Sequence, residues 1–411
     1  MQIFEKINSC RICNSLDIEI FMDLTDQPPA NSLRANLSED LPNVPLQLVH
    51  CSNCSTIQLS ATIDPTFLFS HYVWVTGTST TAKEYSKYFS KNVLERSNAE
   101  IPFVVEIASN DGTFLKDFAI KGCKVLGVDP AKNIAEIATK DGVPTVADFF
   151  NLATANDIKE KNGNADIVFA RNVIPHVKEV HSIIEGIGSL LKDDGLGVIE
   201  FHYAQIILDE LHYDSIYHEH LFFYSLKSMM HLLEMHGFKA FDLTQSPISG
   251  GSLVIYFSKN KKEQSSVLKV AIQTELLKKT NELQTWKDFA NACEKHATEL
   301  KETVIKHKKN GAVIGYGASA RSSTMLNYAG LNSDVIDCVI DKNPLKLGRY
   351  TPGTNIPIIS FEQGKRLFDK CGSILLLAWN FEKEIVNELR ENGYKGTIIV
   401  PLPNTIHLND I

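Results

Sequence analysis

The stretch Phe103-Val104-Val105-Glu106-Ile107-Ala108-Ser109-Asn110-Asp111-Gly112, followed by Lys124-Val125-Leu126-Gly127-Val128-Asp129, decides the fold class of this 411-residue chain. Each half opens on a short apolar run. The first run ends in a polar, glycine-containing turn, and a helix-like segment starts at Thr113. The second ends on an acid, Asp129, 23 residues beyond Glu106. Pro130 then offers a start for the next helix. Further out, Asp166-Ile167-Val168-Phe169-Ala170 and Gly197-Val198-Ile199-Glu200-Phe201 repeat the apolar run. Strands separated by helical segments imply an α/β, doubly wound parallel sheet over residues 71–260.

In such a sheet a ligand sits beyond the carboxyl ends of the strands. A glycine turn lets it approach the backbone, and an acid closing the second strand can grip a ribose diol. The turn after Glu106 lacks G-x-G-x-x-G and carries acids instead. A sulfonium ligand that also bears an ammonium group has no pyrophosphate to cradle and tolerates those acids. The turn therefore resembles that of class I S-adenosylmethionine methyltransferases more than that of a dinucleotide enzyme. Ala147-Asp148-Phe149-Phe150 lies where such proteins read the adenine edge and face. The plain alternative is a generic strand–turn–helix junction with a buried glycine and solvated acids.

Toward the N-terminus, four of the eight cysteines form two C-x2-C pairs, Cys10 with Cys13 and Cys51 with Cys54, 37 residues apart. Each short turn aims two thiolates at one ion, which suits tetrahedral zinc. Two disulfides or a redox pair are the rivals. The opening MQIFEKINSC has no secretory pattern, and no βαβ unit surrounds either pair. Four thiolates close the coordination sphere, so such a zinc stabilises the fold and does no chemistry. Residues 1–70 thus read as a zinc-binding module that can bury little core of its own. Cys123, Cys293, Cys338 and Cys371 read as small core residues.

Toward the C-terminus, neither Gly nor Pro occurs between Ser252 and Asn310. A strand-like run at 253–257 gives way to Val267, Val270, Leu276, Leu283, Trp286, Phe289, Cys293, Leu300 and Val304 at roughly helical spacing. One long helix, or a helical pair, is expected as a linker over 261–310. A Rossmann-like α/β lobe then spans 311–411. Ala312-Val313-Ile314 runs into Gly315-Tyr316-Gly317-Ala318-Ser319-Ala320, and a second strand ends at Asp341. Gly315-x-Gly317-x-x-Ala320 with Asp337 and Asp341 mimics a dinucleotide fingerprint, so an NAD(P)-dependent oxidoreductase acting on a sugar nucleotide is the rival reading.

Lys and Arg total 41 against 49 Asp and Glu, a formal charge of −8, which argues against a nucleic-acid partner. Apolar residues at 44% and charged ones at 22% suit a globular protein with a sizeable core. No apolar run approaches the ~18–20 residues that span a bilayer. A cytoplasmic protein without a membrane partner is expected.

Asp214-Ser215-Ile216-Tyr217-His218-Glu219-His220 is dense in polar chemistry, and Arg171-Asn172-Val173-Ile174-Pro175-His176 follows the third strand of the sheet. An imidazole can remove a proton from a carbon beside a carbonyl, and a carboxylate can orient it. A phenol or second imidazole can hydrogen-bond the enolate oxygen that develops. The segment fits neither H-E-x-x-H nor H-x-x-E-H, because Phe222 and Ile216 stand where those patterns need other residues. The bland alternative is a set of satisfied polar residues at a domain junction. His202, His212 and His236 read as structural or surface residues.

Taken in order, these features resemble the three-domain nucleotide-sugar C-methyltransferases that act on keto-deoxysugars. The four-Cys module with Gln27-Pro28-Pro29-Ala30-Asn31-Ser32 resembles their zinc-binding domain, and residues 106–112 their cofactor loop. Tyr217-His218-Glu219-His220 is the most specific match. Gly315-Tyr316-Gly317-Ala318, Asp341-Lys342-Asn343-Pro344, residues 348–353 and Trp379-Asn380 resemble the C-terminal domain. The resemblance implies S-adenosylmethionine held by Glu106, Ala108, Asn110, Gly112, Asp129, Asp148, Phe149 and Asn172, and structural zinc on Cys10, Cys13, Cys51 and Cys54. It implies a nucleotide-linked 4-keto-6-deoxysugar bound by Tyr72, Trp74, Arg171, Tyr316, Gly317, Ala318, Arg321, Asp341, Lys342 and Arg349. His220 would remove the proton at carbon 3. Glu219 would orient that base or help position the sugar. Tyr217 and His176 would hold the sugar and stabilise the enolate oxygen, and the carbanion would take the methyl group. Glycine amides and Arg321 would suit the pyrophosphate. This chain departs from the family's pattern at Ala108, usually Gly; at Trp74, where a Tyr or Ser is frequent nearby; at Ser249, where His is expected; and at Arg321, often Lys.

Overall fold

A computed structural model describes residues 3–69, 76–78 and 80–409; Tyr72 and Trp74 lie outside the described residues. Four sheets organise the described residues, the smallest a two-stranded pair. The N-terminal region contributes β1 (Phe4–Lys6), β2 (Ile18–Gln27), β3 (Val44–Cys51), β4 (Ile57–Leu59) and β5 (Ala61–Ile63). β2, β3 and β4 pair antiparallel, and β1 pairs with β5.

The middle region supplies β6 (Phe103–Ile107), β7 (Lys124–Val128), β8 (Thr145–Val146), β9 (Ala165–Arg171), β10 (Leu191–His202), β11 (Phe222–Phe223), β12 (Lys239–Ser246) and β13 (Ser252–Ser258). Seven of them form one sheet in the order β12-β13-β10-β9-β6-β7-β8. The β10-to-β8 part is parallel, and β13 runs antiparallel to both neighbours. β6 is buried at all five positions, as expected of a parallel strand covered on both faces, and this is why it reads as an apolar run broken only by Glu106. The next helix begins at Lys132 after Ala131, two residues past the start that Pro130 suggested.

The short β11 does not join this sheet. It pairs with β4 and completes the N-terminal sheet, order β11-β4-β3-β2. The zinc-binding region therefore shares backbone pairing with the segment that follows His220.

The linker is a pair of helices, Ser266–Leu277 and Leu283–Lys308, separated at Lys279, which sits in the left-handed region (φ 56). Trp286, Phe289, Cys293, Leu300 and Val304 are buried as the spacing predicts, but Val267, Val270 and Leu276 are 53%, 65% and 62% exposed. The break resets the helical phase, so one apolar stripe cannot serve both helices; the first buries Leu268 and Glu275 instead.

The C-terminal region comprises β14 (Ala312–Tyr316), β15 (Cys338–Ile340), β16 (Ile358–Ile359), β17 (Cys371–Leu376), β18 (Thr397–Val400) and β19 (Ile406–Leu408). Their order, β16-β15-β14-β17-β18-β19, reverses direction of growth beside β14, and only the β18–β19 pair is antiparallel. That reversal marks the crevice where a doubly wound sheet receives ligands. One buried apolar cluster runs through all three regions. Among the described residues, no helix is long and apolar enough to cross a membrane.

Candidate active site

The four predicted thiols converge. Cys10 and Cys54 Sγ lie 3.6 Å apart, Cys13 and Cys51 3.5 Å, and all four within 4.8 Å of one another, with no disulfide. Four sulfurs about 2.3 Å from a tetrahedral zinc have comparable separations. Both knuckles use the same turn: Asn14 N–H bonds the Cys10 carbonyl and Ser55 N–H the Cys51 carbonyl, with Asn14 and Ser55 left-handed. Gln58 Nε2 donates to Cys10 Sγ at 3.1 Å and Ile12 N–H at 3.4 Å, bonds that favour thiolates. The donor set thus fits a structural zinc. Among the described residues no histidine joins a metal-holding group; His218 Nε2 bonds the Val44 carbonyl.

Beyond the carboxyl end of β6, the turn takes three left-handed residues in alternation: Ala108 (φ 54), Asn110 (φ 50) and Gly112 (φ 74). A Cβ on Gly112 would lie 2.9 Å from Val143, so the turn needs glycine there. Asp129 ties the turn down. Its Oδ2 accepts from Asn110 N–H at 2.8 Å and its Oδ1 from Ala131 N–H at 2.9 Å. Asp111 accepts from Thr113 and from Gly77 N–H, so the described residues 76–78 lie against the turn. Glu106 is buried, and its Oε2 has no hydrogen-bond partner among the described residues. Burial pushes its pKa well above the usual carboxylate range, although Arg171 pulls the other way. Phe149 leaves its ring 54% exposed, and Asp148 is exposed beside it. A buried carboxyl with an oxygen unpaired among the described residues fits the cationic part of an adenosyl ligand, and the exposed Phe149 ring is open to stacking.

Arg171 is engaged within the sheet. Its Nε bonds Glu200 at 2.6 Å, and its guanidinium lies 3.1 Å from the Phe114 ring centroid. The pair is sealed in the sheet, with Glu200 fully buried.

Asn172, left-handed (φ 48) at the end of β9, leads into a small cavity lined by Asn172, Pro175, His176, His202, His220, Phe222 and Phe223. The His176 and His220 rings meet edge to face at 4.7 Å. His220 Nδ1 lies 3.0 Å from the Ser215 carbonyl, and its Nε2 2.8 Å from the Tyr217 hydroxyl. Burial lowers the pKa of His176 to about 4 and that of His220 well below the ordinary value, with His176 adding to the latter. Glu219 is not the orienter of His220 that the sequence suggested: the Ser215 carbonyl holds that nitrogen. The Glu219 carboxylate instead accepts from Asn31 Nδ2 at 2.6 Å, and burial raises its pKa to about 7. Asn31 comes from the Pro-rich turn of the N-terminal region.

In the C-terminal region Gly317 (φ 98) packs so closely on Ala378 that a Cβ would come within 2.5 Å of it. Asp341 Oδ2 accepts from Ala318 N–H and its Oδ1 from Asn343 N–H, both at 2.8 Å. Tyr316 bonds Glu388 through its hydroxyl, and Lys342 pairs with Glu388 at 2.7 Å while half exposed. Arg349 is exposed. Arg321 is placed otherwise than expected: its guanidinium holds the buried Asp214 through two bonds.

Sequence reasoning missed His202 and Asn31. The first ends β10, a parallel strand whose carboxyl end faces the crevice, and that rule alone could have found it. Nothing local marks Asn31 as a partner of a residue 188 positions away.

Three family descriptions match the chain in order: "Putative zinc binding domain" over residues 10–69, "Methyltransferase domain" over 82–243 and "C-methyltransferase C-terminal domain" over 247–403. C-methyltransferase NovU of Streptomyces niveus is 31% identical over 416 residues, covering 98% of this chain and 97% of that protein. Similar solved structures include the PH0226 protein of Pyrococcus horikoshii OT3, at 15% identity and TM-score 0.37 over 48% of this chain and 96% of that one. Another is magnesium protoporphyrin IX methyltransferase of Synechocystis PCC 6803 with bound SAM, at 13% identity and TM-score 0.34 over 46% and 86%. The NAD(P) oxidoreductase suggested by residues 315–320 gives way to the family descriptions and the full-length relative. With a relative of that identity along almost its whole length, the chain belongs to the three-domain S-adenosylmethionine-dependent C-methyltransferases.

Proposed function

We propose that this C-methyltransferase acts on a nucleotide-linked 4-keto-6-deoxysugar and methylates carbon 3, beside the ketone, after His220 has removed its proton. The observation that carries the reading is the tautomer of His220. A backbone carbonyl only accepts hydrogen bonds, so Nδ1, facing the Ser215 carbonyl, carries the proton. Nε2 then holds the lone pair, and the Tyr217 hydroxyl is its donor. With its pKa held down by burial, the ring is neutral at pH 7 and ready to accept a proton. Charging it there is costly, and the negative charge growing on a nearby enolate oxygen offsets the cost. His176 is a donor for that oxygen, and the Tyr217 hydroxyl becomes the second once the substrate displaces it from Nε2. Glu219, half protonated near neutrality, suits a hydrogen bond with a sugar oxygen.

When bound, S-adenosylmethionine supplies a methyl group on a cationic sulfur. Glu106, Ala108, Asn110, Gly112, Asp129, Asp148, Phe149 and Asn172 would hold it. Asn172 also lines the histidine cavity, so it stands between the two partners. Holding them at near-attack distance can supply ~7–11 kcal/mol of the barrier. Residues 316–318, Asp341, Lys342 and Arg349 of the C-terminal region would take the nucleotide. In this reading the protein works in the cytoplasm, where both reactants are made.

The test incubates a panel of nucleotide 4-keto sugars, deuterated at carbon 3, with S-adenosylmethionine and follows product mass. Gain of a methyl with loss of the label is expected. His220→Ala should lower turnover ~10²–10⁴-fold and leave S-adenosylmethionine binding near normal. Retention of the label in a methylated product, or full activity of His220→Ala, overturns the reading.

A further inference from the structure

The carbonyl that fixes His220 is itself held from the C-terminal region. Asp214, one residue before it, is fully buried. Arg321 Nε donates to its Oδ2 at 2.9 Å and Nη2 to its Oδ1 at 2.8 Å, a two-pronged grip. The Trp379 indole N–H adds a third bond, to Oδ2 at 2.8 Å, and the Arg321 guanidinium lies 4.9 Å from the Trp379 ring. One residue after Ser215, the Ile216 carbonyl accepts from the Thr324 hydroxyl at 2.8 Å. Arg321 and Thr324 stand on one helix, Ala320–Ala329. The C-terminal region therefore grips residues 214 and 216, on either side of the one whose carbonyl meets Nδ1 of His220.

We infer that Arg321 and Trp379 are positioning residues for His220: by clamping Asp214 they hold the Ser215 carbonyl where it keeps the proton on Nδ1 and the lone pair on Nε2. The inference rests on the reading of His220 as the base. It takes Arg321 away from the pyrophosphate and gives it a different task. A planar guanidinium can make both parallel bonds to Asp214; an ammonium makes a single point contact, so lysine would hold the carboxylate less strictly. Because proton abstraction is sensitive to small misplacements of the base, loosening the clamp should act on turnover and spare substrate binding.

The experiment uses the full-length, zinc-loaded enzyme with Arg321→Ala, Arg321→Lys and Trp379→Phe. Three readings are taken: kcat and KM for the nucleotide sugar, calorimetric affinity for S-adenosylmethionine, and 15N NMR of labelled histidines. For Arg321→Ala, kcat should fall about 100-fold, with KM changed less than about threefold and turnover partly restored by methylguanidinium. Trp379→Phe should lower kcat about fivefold with KM unchanged, since it removes one of three bonds. In both variants the His220 signal should lose its single Nδ1–H tautomer. A tenfold or greater rise in KM with kcat kept would return Arg321 to the substrate and overturn the inference. Wild-type kcat in both variants would overturn it as well. Should Arg321→Ala fail to fold, as judged by zinc content, Trp379→Phe decides by the same readings, since it keeps an aromatic ring and loses the indole N–H. A failure of the base assignment itself is seen separately, as turnover by His220→Ala.

Discussion

The turn after β6 and the turn after β14 solve one problem with different parts. In both, an aspartate at the end of the neighbouring strand ties the turn through backbone amides: Asp129 to Asn110 and Ala131, Asp341 to Ala318 and Asn343. The carbonyl just before each aspartate also matches, with Val128 taking Ser109 N–H and Ile340 taking Gly317 N–H. Aligned on these bonds and on the strand register, the first turn has one extra residue, Ala108, and Glu106 falls opposite Gly315. What differs is the group left over after the stitching. One turn presents a buried carboxyl with an oxygen unpaired among the described residues; the other has Gly315 in its place and no charge there. The first suits a cation and the second an anion or a neutral group. The comparison also shows that the acid ending the second strand ties its turn in both halves, whatever else it holds.

The carboxyl at 106 should make the largest difference. Glu106→Gln is expected to weaken S-adenosylmethionine about 100-fold, roughly 2.7 kcal/mol, and to leave sugar-nucleotide binding alone, as calorimetry can check. Burial raises this pKa, and a cation bound against the carboxyl would lower it again. Binding should therefore release a proton and tighten as pH rises; equal heats in buffers of different ionisation enthalpy would break the contrast. Next come the ties. Asp129→Asn should cost about tenfold in S-adenosylmethionine affinity, in line with ~1.5–3 kcal/mol for a charge-assisted bond. Asp341→Asn should leave that affinity intact and raise KM for the nucleotide sugar. An effect of either on the other's ligand would mean the turns are not separate sites. Gly317→Ala should destabilise by ~1–3 kcal/mol in denaturant unfolding, because its φ of 98 is strained for a side chain and the new Cβ would strike Ala378. Smallest, and of opposite sign, Ala108→Gly should stabilise by ~0.5–1 kcal/mol by relieving a left-handed alanine.

The chain announces whatever depends on local spacing. Both knuckles were legible because two residues between cysteines set a turn, and β6, β7 and β9 because parallel strands covered on both faces are mostly apolar. The bonds that make the site work are of another kind. Asp214 meets Arg321 and Trp379 across 107 and 165 residues, and no periodicity connects them. Arg321 was expected at the pyrophosphate from the family resemblance; a buried carboxylate brought from a distant loop meets its charge. Glu219 stands next to His220 in sequence, yet successive residues of this loop point apart, and a main-chain oxygen does the orienting. In the linker helices, Val267, Val270 and Leu276 kept the right spacing but fell on the far side of a break.

The pairing of β11 with β4 begins two residues past His220 and has a practical consequence for anyone trimming this enzyme. A fragment carrying the middle sheet by itself would strand Phe222 and Phe223 in water, drop the Asn31 contact and free the loop that aims the imidazole. Such a fragment could still recognise its methyl donor and yet be chemically idle. Swapping modules between relatives to change sugar preference would succeed only if the cut spares that two-residue seam.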